Sequence, residues 1–497
     1  MNIKRAKEEI KNTIEAYLQK DEYGEYEISA VHQRPVLLIG PPGVGKTQIM
    51  EQVAKECEIA FVSYTITHHT RQSAIGLPYI VEKTYNNKVY SATEYTMSEI
   101  VASIYDKMKQ TGLKEGLLFI DEINCVSETL APTMLQFLQG KTFGSHKIPE
   151  GWIITAAGNP PEYNKSVREF DIVTLDRIKM IPIEADFQVW KEYAYQVSIH
   201  PAILSYLSIK PQYFCEMETT VDGKFFATPR GWEDLSNLIR VYEKLQKKID
   251  REVIFEYIQN QRIAKDFANY WDLYKKYQNE YQIQEILEGK IKEGLPQKVR
   301  SAPFDERISI VSLLFAKLNL QFKKIREKEE VLEILVRCLR EWKQKDIDLK
   351  IEKVIKNLTL EWKQKKEAQL LTRTDEIKYK KAIEKAEEFS QMIKKENIIQ
   401  IDMVWKRIQE LFSEQTESYE NEIRDIGNLL ENAFNFMEAV FSDSQEMVIF
   451  ITELNRSYFA IHFLQEYECE RYYEYNKRLL FEEEEKIINK KLEKLQL

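Results

Sequence analysis

Gly40-Pro41-Pro42-Gly43-Val44-Gly45-Lys46-Thr47 stands between the apolar run Val36-Leu37-Leu38-Ile39 and the segment Gln48-Ile49-Met50-Glu51-Gln52-Val53-Ala54, whose apolar residues recur at helical spacing. The order is strand, glycine-rich loop, helix, the context that the pattern G-x-x-x-x-G-K-[ST] requires before it signifies phosphate binding. Glycines let the main chain fold round an anion with its N–H groups pointing inward. The N-terminus of the following helix adds partial positive charge. Within such a loop Lys46 is placed to reach the β- and γ-phosphates of a nucleotide, and the Thr47 hydroxyl to hold Mg²⁺. Gly40, Pro41, Pro42, Gly43, Val44, Gly45, Lys46, Thr47 and Gln48 are therefore the candidate nucleotide-binding set.

Further short apolar runs occupy residues 59–64, 117–120, 152–157 and 178–183, with helical patterns between them. They predict an α/β domain whose parallel sheet is covered on both faces. The third run, Leu117-Leu118-Phe119-Ile120, ends in Asp121-Glu122-Ile123-Asn124. Carboxylates at the carboxyl end of a buried strand sit where α/β sheets bind their ligands. Asp121 is placed to orient Mg²⁺ or its waters, and Glu122 to activate a water for in-line attack on a γ-phosphate. The fourth run ends in Ala157-Gly158-Asn159-Pro160-Pro161, and the Asn159 amide is placed to position that water. Thr174-Leu175-Asp176-Arg177 precedes the fifth run. Arg177 is the candidate for a charge offered to a neighbouring subunit's nucleotide, worth on the order of 10³–10⁵ in rate where such arginines act. Arg168, in Ser166-Val167-Arg168-Glu169-Phe170, is its rival.

The chain has 497 residues, enough for two or three domains. Hydrophobic residues make up 43% and charged residues 30%, which fits folded domains with a heavily solvated helical surface. The 71 basic and 80 acidic residues leave a net charge of −9, so bulk attraction to nucleic acid or anionic lipid is not expected. Five dispersed cysteines, with no C-x-x-C pair, read as reduced thiols. The first ten residues form an amphipathic pattern without the apolar centre of a signal peptide, and no apolar run approaches membrane-spanning length. A cytoplasmic location is expected. His68 and His69 are the only adjacent histidines, and no zinc spacing occurs, so Mg²⁺ is the only metal expected.

Taken together, these segments resemble the AAA+ ATPases, and within them the MoxR-like group, over about residues 1–240. Asp121-Glu122-Ile123-Asn124 is similar to that family's Walker B, Ala157-Gly158-Asn159-Pro160 to its sensor 1, and Leu175-Asp176-Arg177 to its arginine-finger segment. Thr228-Pro229-Arg230, followed by Trp232, is similar to its sensor 2. Ile178 departs from the pattern, since many relatives carry Phe there. The resemblance implies a sheet in the order 5-1-4-3-2, a helical lid, ATP and Mg²⁺ as ligands, and a ring, expected to be a hexamer. Glu122, Asn159, Arg177 and Arg230 would be its catalytic residues, with Thr47 and Asp121 at the metal. It also implies a protein client and a von Willebrand A domain partner. In that group an insert at the place of residues 73–91 projects towards the central channel, so this hairpin and the loop 141–149 are expected client contacts.

From Trp190 onward strands nearly vanish from the pattern. Thr228 reads as an N-cap with Pro229 at the first helical position, and Trp232, Leu235, Ile239 and Tyr242 form an apolar stripe. Gly294-Leu295-Pro296 and Ala302-Pro303 mark a break. The expected division is an α/β nucleotide-binding domain over 1–195, a lid over 196–298 and an α-helical region over 299–497. In the last, helices are expected at 401–412 and 419–440. Met447-Val448-Ile449-Phe450-Ile451-Thr452, apolar all round, is expected to be buried. The aromatic residues Tyr458, Phe459, Phe463, Tyr467, Tyr472, Tyr473 and Tyr475 read as packing rather than a base-stacking platform, and the acidic run 482–485 argues further against nucleic acid. Two other functions fit the phosphate loop: a nucleotide-gated scaffold with little hydrolysis, and a GTP-dependent motor subunit of a restriction system. The second lacks a guanine-reading N-x-x-D segment at a persuasive place and a basic DNA-binding half.

Overall fold

A computed structural model describes residues 1–68, 76–143, 146–163, 167, 170–220, 223–344, 351–367, 370–396, 398 and 401–479. These fall into two compact units. The first is Met1–Val189 with Thr228–Arg230, and the second is Trp190–Ala227 with Gly231–Leu497.

In the first unit the elements are α1 (Ile3–Leu18), β1 (Val36–Ile39), α2 (Lys46–Glu56), β2 (Ala60–Thr65), β3 (Pro78–Tyr85), β4 (Lys88–Tyr95), α3 (Glu99–Thr111), β5 (Gly116–Asp121), α4 (Ala131–Gly140), β6 (Thr142–Phe143), β7 (His146–Lys147), β8 (Trp152–Gly158), α5 (Ile172–Leu175) and β9 (Lys179–Pro182). Five strands form one sheet in the order β2-β5-β8-β1-β9, every neighbouring pair parallel. Counted along the chain this is the order 5-1-4-3-2. The inner strands β1, β5 and β8 are almost wholly apolar because both faces are covered, whereas the edge strands β2 and β9 expose Ser63, Thr65 and Met180. Val36, Leu38, Leu117, Phe119, Ile153 and Ala157 share a core with Ala6, Ile10 and Ile14 of α1 and Ile49, Met50 and Val53 of α2. Leu37, Leu118, Ile120, Ile154 and Ala156 share another with Ile100, Val101 and Ile104 of α3 and Met134, Phe137 and Leu138 of α4. Burial of each large side chain contributes roughly 1.5–3 kcal/mol.

The hairpin expected after residue 73 is present as β3 and β4, joined at Asn86 and Asn87 with φ of +49° and +60°. Two positive φ values make a turn whose twist matches the strands it joins. Residues 69–75, His69 among them, lie outside the described residues. The cap of α3 is Ser98, whose hydroxyl accepts from the Val101 N–H. Thr96, two residues earlier, accepts from the Leu77 N–H at 2.9 Å at the foot of the hairpin. The loop 141–149 is rooted in the core. Lys141, Phe143 and Ile148 are buried, and Phe143 stacks on Phe137 with ring centroids 3.9 Å apart.

The second unit takes most of α6 (Phe187–Gln196), then α7 (Pro201–Ile209), a hairpin of β10 (Glu216–Thr220) and β11 (Gly223–Ala227), and the greater part of α8 (Pro229–Lys244). There follow α9 (Arg251–Tyr257), α10 (Gln261–Glu280), α11 (Ile283–Leu287), α12 (Leu295–Ser301), α13 (Phe304–Gln344), α14 (Ile351–Glu367), α15 (Arg373–Lys395), α16 (Ile401–Phe441), α17 (Gln445–Arg456) and α18 (Tyr458–Glu466). The long α13 packs against α7, α15, α16, α17 and α18. Two expected helices are in fact one, α16, because residues 413–418 hold no glycine or proline to end it. Residues 447–452 are buried on one side only: Met447, Phe450 and Ile451 are interior, whereas Val448 is 38% exposed. Lys191 and Tyr195 both donate to the buried Glu453 carboxylate, so this interior acid is paired and hydrogen-bonded. No helix among the described residues is long and apolar enough to cross a membrane.

Candidate functional site

The register of the sheet brings three strand ends together. Ile39, the last residue of β1, pairs with Gly158, the last of β8. On the other side of β8, β5 runs on to Asp121. The phosphate-loop residues, the acidic segment and Asn159 therefore leave the carboxyl edge of the sheet on neighbouring strands, although up to 119 positions separate them in sequence.

Gly43 and Gly45 take φ of +78° and +90°, the left-handed region that a side chain would strain. Gly45 is the N-cap of α2, and no side chain caps that end, so the first turn presents its N–H groups at the loop. Lys46 is 8% exposed. Its Nζ donates to the Gly40 carbonyl (2.8 Å), the Pro41 carbonyl (2.8 Å) and Asn159 Oδ1 (3.0 Å). The Thr47 hydroxyl donates to Asp121 Oδ2 at 2.9 Å. Asp121 Oδ1 accepts from the Glu122 main-chain N–H at 2.9 Å. Glu122 itself sits at φ +57°, ψ +34°. A glutamate there is strained, and such strain gathers where function over-determines the backbone. Gln48 is exposed on the first turn of α2.

Arg230 reaches the loop from the start of α8. A Cβ added at Gly43 would lie 3.1 Å from that of Arg230, so the two main chains approach closely within the first unit. Arg177 is elsewhere. Lys179, two residues after it, pairs with Val36 at the amino end of β1, and the loop begins beyond the other end. With a rise of about 3.3 Å per residue, Arg177 leaves the sheet roughly 10 Å or more from Gly40 along the strand. Its exposed guanidinium donates instead to Gln139 Oε1 of α4 at 2.5 Å. Arg168 lies outside the described residues.

The residues present suit a Mg²⁺-bound nucleotide. The Thr47 hydroxyl and the Asp121 carboxylate are hard oxygen donors, and Mg²⁺ takes one or two from protein and the rest from phosphate and water.

One contact had no signal in the sequence. Asn124 Nδ2 donates to the Asn159 carbonyl at 2.8 Å, while its Oδ1 presses on Gly158, where a Cβ would lie 2.5 Å away. Composition and spacing do not predict a contact between the exits of two strands 35 residues apart.

Residues 36–175 match the family described as ATPase family associated with various cellular activities (AAA). No curated protein sequence matches the chain. Among solved structures, a candidate ATPase from Cytophaga hutchinsonii is 18% identical over 39% of this chain and 56% of its own, with a TM-score of 0.25. This chain thus spans little more than half of that protein. A variant of RuvB from Thermotoga maritima is 15% identical over 52% of this chain and 69% of its own, with a TM-score of 0.28. With the parallel sheet, the phosphate loop and the strand-end acids already in place, residues 36–175 constitute an AAA ATPase family domain.

Proposed function

We propose that this chain is an ATP hydrolase of the MoxR-like kind. It would work as a ring, expected to be hexameric and cytoplasmic, and remodel or activate a protein client together with a von Willebrand A domain partner. The observation that carries the ATPase reading is the convergence of Lys46, Thr47, Asp121 and Asn159 within hydrogen-bond distance at one edge of the sheet. In this reading the loop main chain and Lys46 hold the phosphates. Thr47 and Asp121 hold Mg²⁺, which when bound neutralises charge on the phosphate oxygens. Glu122 takes the proton of the attacking water, and Asn159 orients that water. Arg230 meets the γ-phosphate from the start of α8. Residues 1–195 form the nucleotide domain, 196–298 the lid, and 299–497 the surface that recruits partners.

Arg177 leaves the edge of the sheet opposite its own phosphate loop, which supports a role at a neighbouring subunit's nucleotide. The test is turnover. The purified chain should hydrolyse ATP, with specific activity rising as concentration favours assembly. Glu122→Gln should bind ATP as tightly as the parent and lose hydrolysis. Full turnover in that variant would refute the role given to Glu122, and unchanged nucleotide uptake in Lys46→Ala would refute the site itself.

A further inference from the structure

Asn124 is 5% exposed at the exit of β5, and none of the roles above uses it. Its two amide atoms are treated unequally. Nδ2 donates to the main-chain carbonyl of Asn159 at 2.8 Å. Oδ1 is buried and has no hydrogen-bond partner. An unsatisfied buried acceptor costs on the order of 1–3 kcal/mol, which an apolar residue of similar size would avoid. What an apolar residue would not supply is the donor. Aspartate would set a carboxylate against the Asn159 carbonyl, and glutamine would need room for one more methylene. Gly158 completes the fit, since any Cβ there would collide with the Asn124 carboxamide at 2.5 Å.

The residue whose backbone is held in this way is the one whose side chain meets the phosphate-loop lysine. Asn159 Oδ1 accepts from Lys46 Nζ at 3.0 Å. An unbroken series of contacts thus runs from the exit of β5, through the exit of β8, to the loop after β1: Asn124 to Asn159 to Lys46.

We propose that Asn124 is a positioning residue. It fixes the main chain at Asn159, so that the Asn159 carboxamide stands against the Lys46 ammonium and both keep their places when a triphosphate is bound. Its effect on turnover rests on the hydrolysis proposed above; its effect on the backbone does not.

The experiment uses the full-length chain and the variants Asn124→Ala, Asn159→Ala, the double variant and Gly158→Ala. Amide hydrogen exchange, ATP affinity and turnover are measured on each. In Asn124→Ala, exchange should quicken in peptides covering 157–163 and stay unchanged in those covering α1 and α2, which also shows that the variant is folded. Turnover should fall about tenfold, equivalent to about 1.4 kcal/mol of transition-state stabilisation, while ATP affinity stays within roughly threefold, because the residue acts on placement rather than uniform binding. The double variant should be no slower than Asn159→Ala alone, since Asn124 acts through Asn159. Gly158→Ala, which displaces the carboxamide from the other side, should reproduce the Asn124→Ala loss. Unaltered exchange in Asn124→Ala would overturn the proposal, as would losses for Asn124 and Asn159 that multiply. A parent chain that binds ATP without turning it over would instead overturn the hydrolysis reading, and the exchange comparison would still decide the role of Asn124.

Discussion

Glu122 combines a proposed chemical role with an unfavourable backbone, and the two can be separated by substitution. Its φ of +57° is one that L side chains adopt at a cost of roughly 1–2 kcal/mol. Glycine removes that cost but loses about 0.5–1 kcal/mol through the freedom of the unfolded chain. Glu122→Gly should therefore unfold at an equal or slightly higher urea concentration than the parent while losing turnover. A clear drop in stability would mean that the glutamate side chain, not the backbone, secures this turn. Lys141 offers a second test. Its Nζ donates only to uncharged groups in the described contacts, Gln33 Oε1 at 2.7 Å and the Trp152 carbonyl at 3.1 Å, and burial pulls its pKa down to about 8. The folded chain releases this proton near pH 8, whereas the unfolded chain keeps it until about pH 10.4. Across that window the unfolded state binds more protons, so stability contributed by this site rises with pH. Chemical unfolding at pH 7.5 and pH 9.5 should show the rise in the parent and a smaller one in Lys141→Met. At this scale the sequence exposes whatever a contiguous pattern encodes: the loop from Gly40 to Thr47, the acids Asp121 and Glu122, and Asn159. It hides Asn124 against Gly158 and Lys141 against Gln33, because those contacts exist only once the strands are side by side.

Elements repeat the lesson with different physics. The inner strands β1, β5 and β8 are legible because burial on both faces leaves nearly continuous apolar runs, whereas the edge strands β2 and β9 include Ser63, Thr65 and Lys179. The β10–β11 hairpin escapes notice amid helical patterns, because its strands are short and carry few apolar residues in alternation. Helix ends are the hardest to read, since Ser98 and Thr96 are equally good caps on paper and only the hairpin foot beside Leu77 assigns them. One helix start is also pH-sensitive. His200 caps α7 by accepting the Ala202 N–H on Nδ1, which leaves the proton on Nε2, facing Glu243. Trp271 and Tyr274 lie against the ring, and Lys275 and Arg240 add positive charge nearby. Burial is the main cause that lowers the His200 pKa, and it outweighs the pull of Glu243, which is itself held down to about 2 and stays ionised. A histidine whose folded pKa lies below its unfolded value contributes stability above about pH 6.5 that is lost as the pH falls through the folded value. The urea midpoint should therefore drop between pH 7.5 and pH 5.5, and drop less in His200→Asn, which can still cap the helix.

For the molecule as a whole, the decisive question is whether one chain can complete its own site, and the two edges of the sheet frame it. Lys46, Thr47, Asp121 and Asn159 gather at the carboxyl edge, whereas Arg177 precedes β9 at the amino edge and rests on Gln139. Beside it, α5 exposes Ile172 (85%) and Val173 (60%), an apolar pair one turn from the arginine. If that side meets another copy, Ile172→Glu should raise the protein concentration at which turnover appears without altering nucleotide affinity. Complementation asks the question more sharply. Under the proposed roles, Lys46→Ala removes the grip on phosphate, and Arg177→Ala removes the offered charge, at an expected cost on the order of 10³–10⁵ in rate. If Arg177 served its own chain, a mixture of the two would contain no intact site and would stay inactive. If it serves the next subunit, a closed ring brings the intact loop of one variant against the intact arginine of the other at roughly a quarter of the interfaces in an equal mixture. Turnover should then return on mixing, in proportion to such interfaces, and peak near equal amounts. Because neither variant alone can produce that maximum, its presence assigns the arginine to the neighbour, and its absence would return Arg177 to the role of an ordinary surface residue bonded to Gln139.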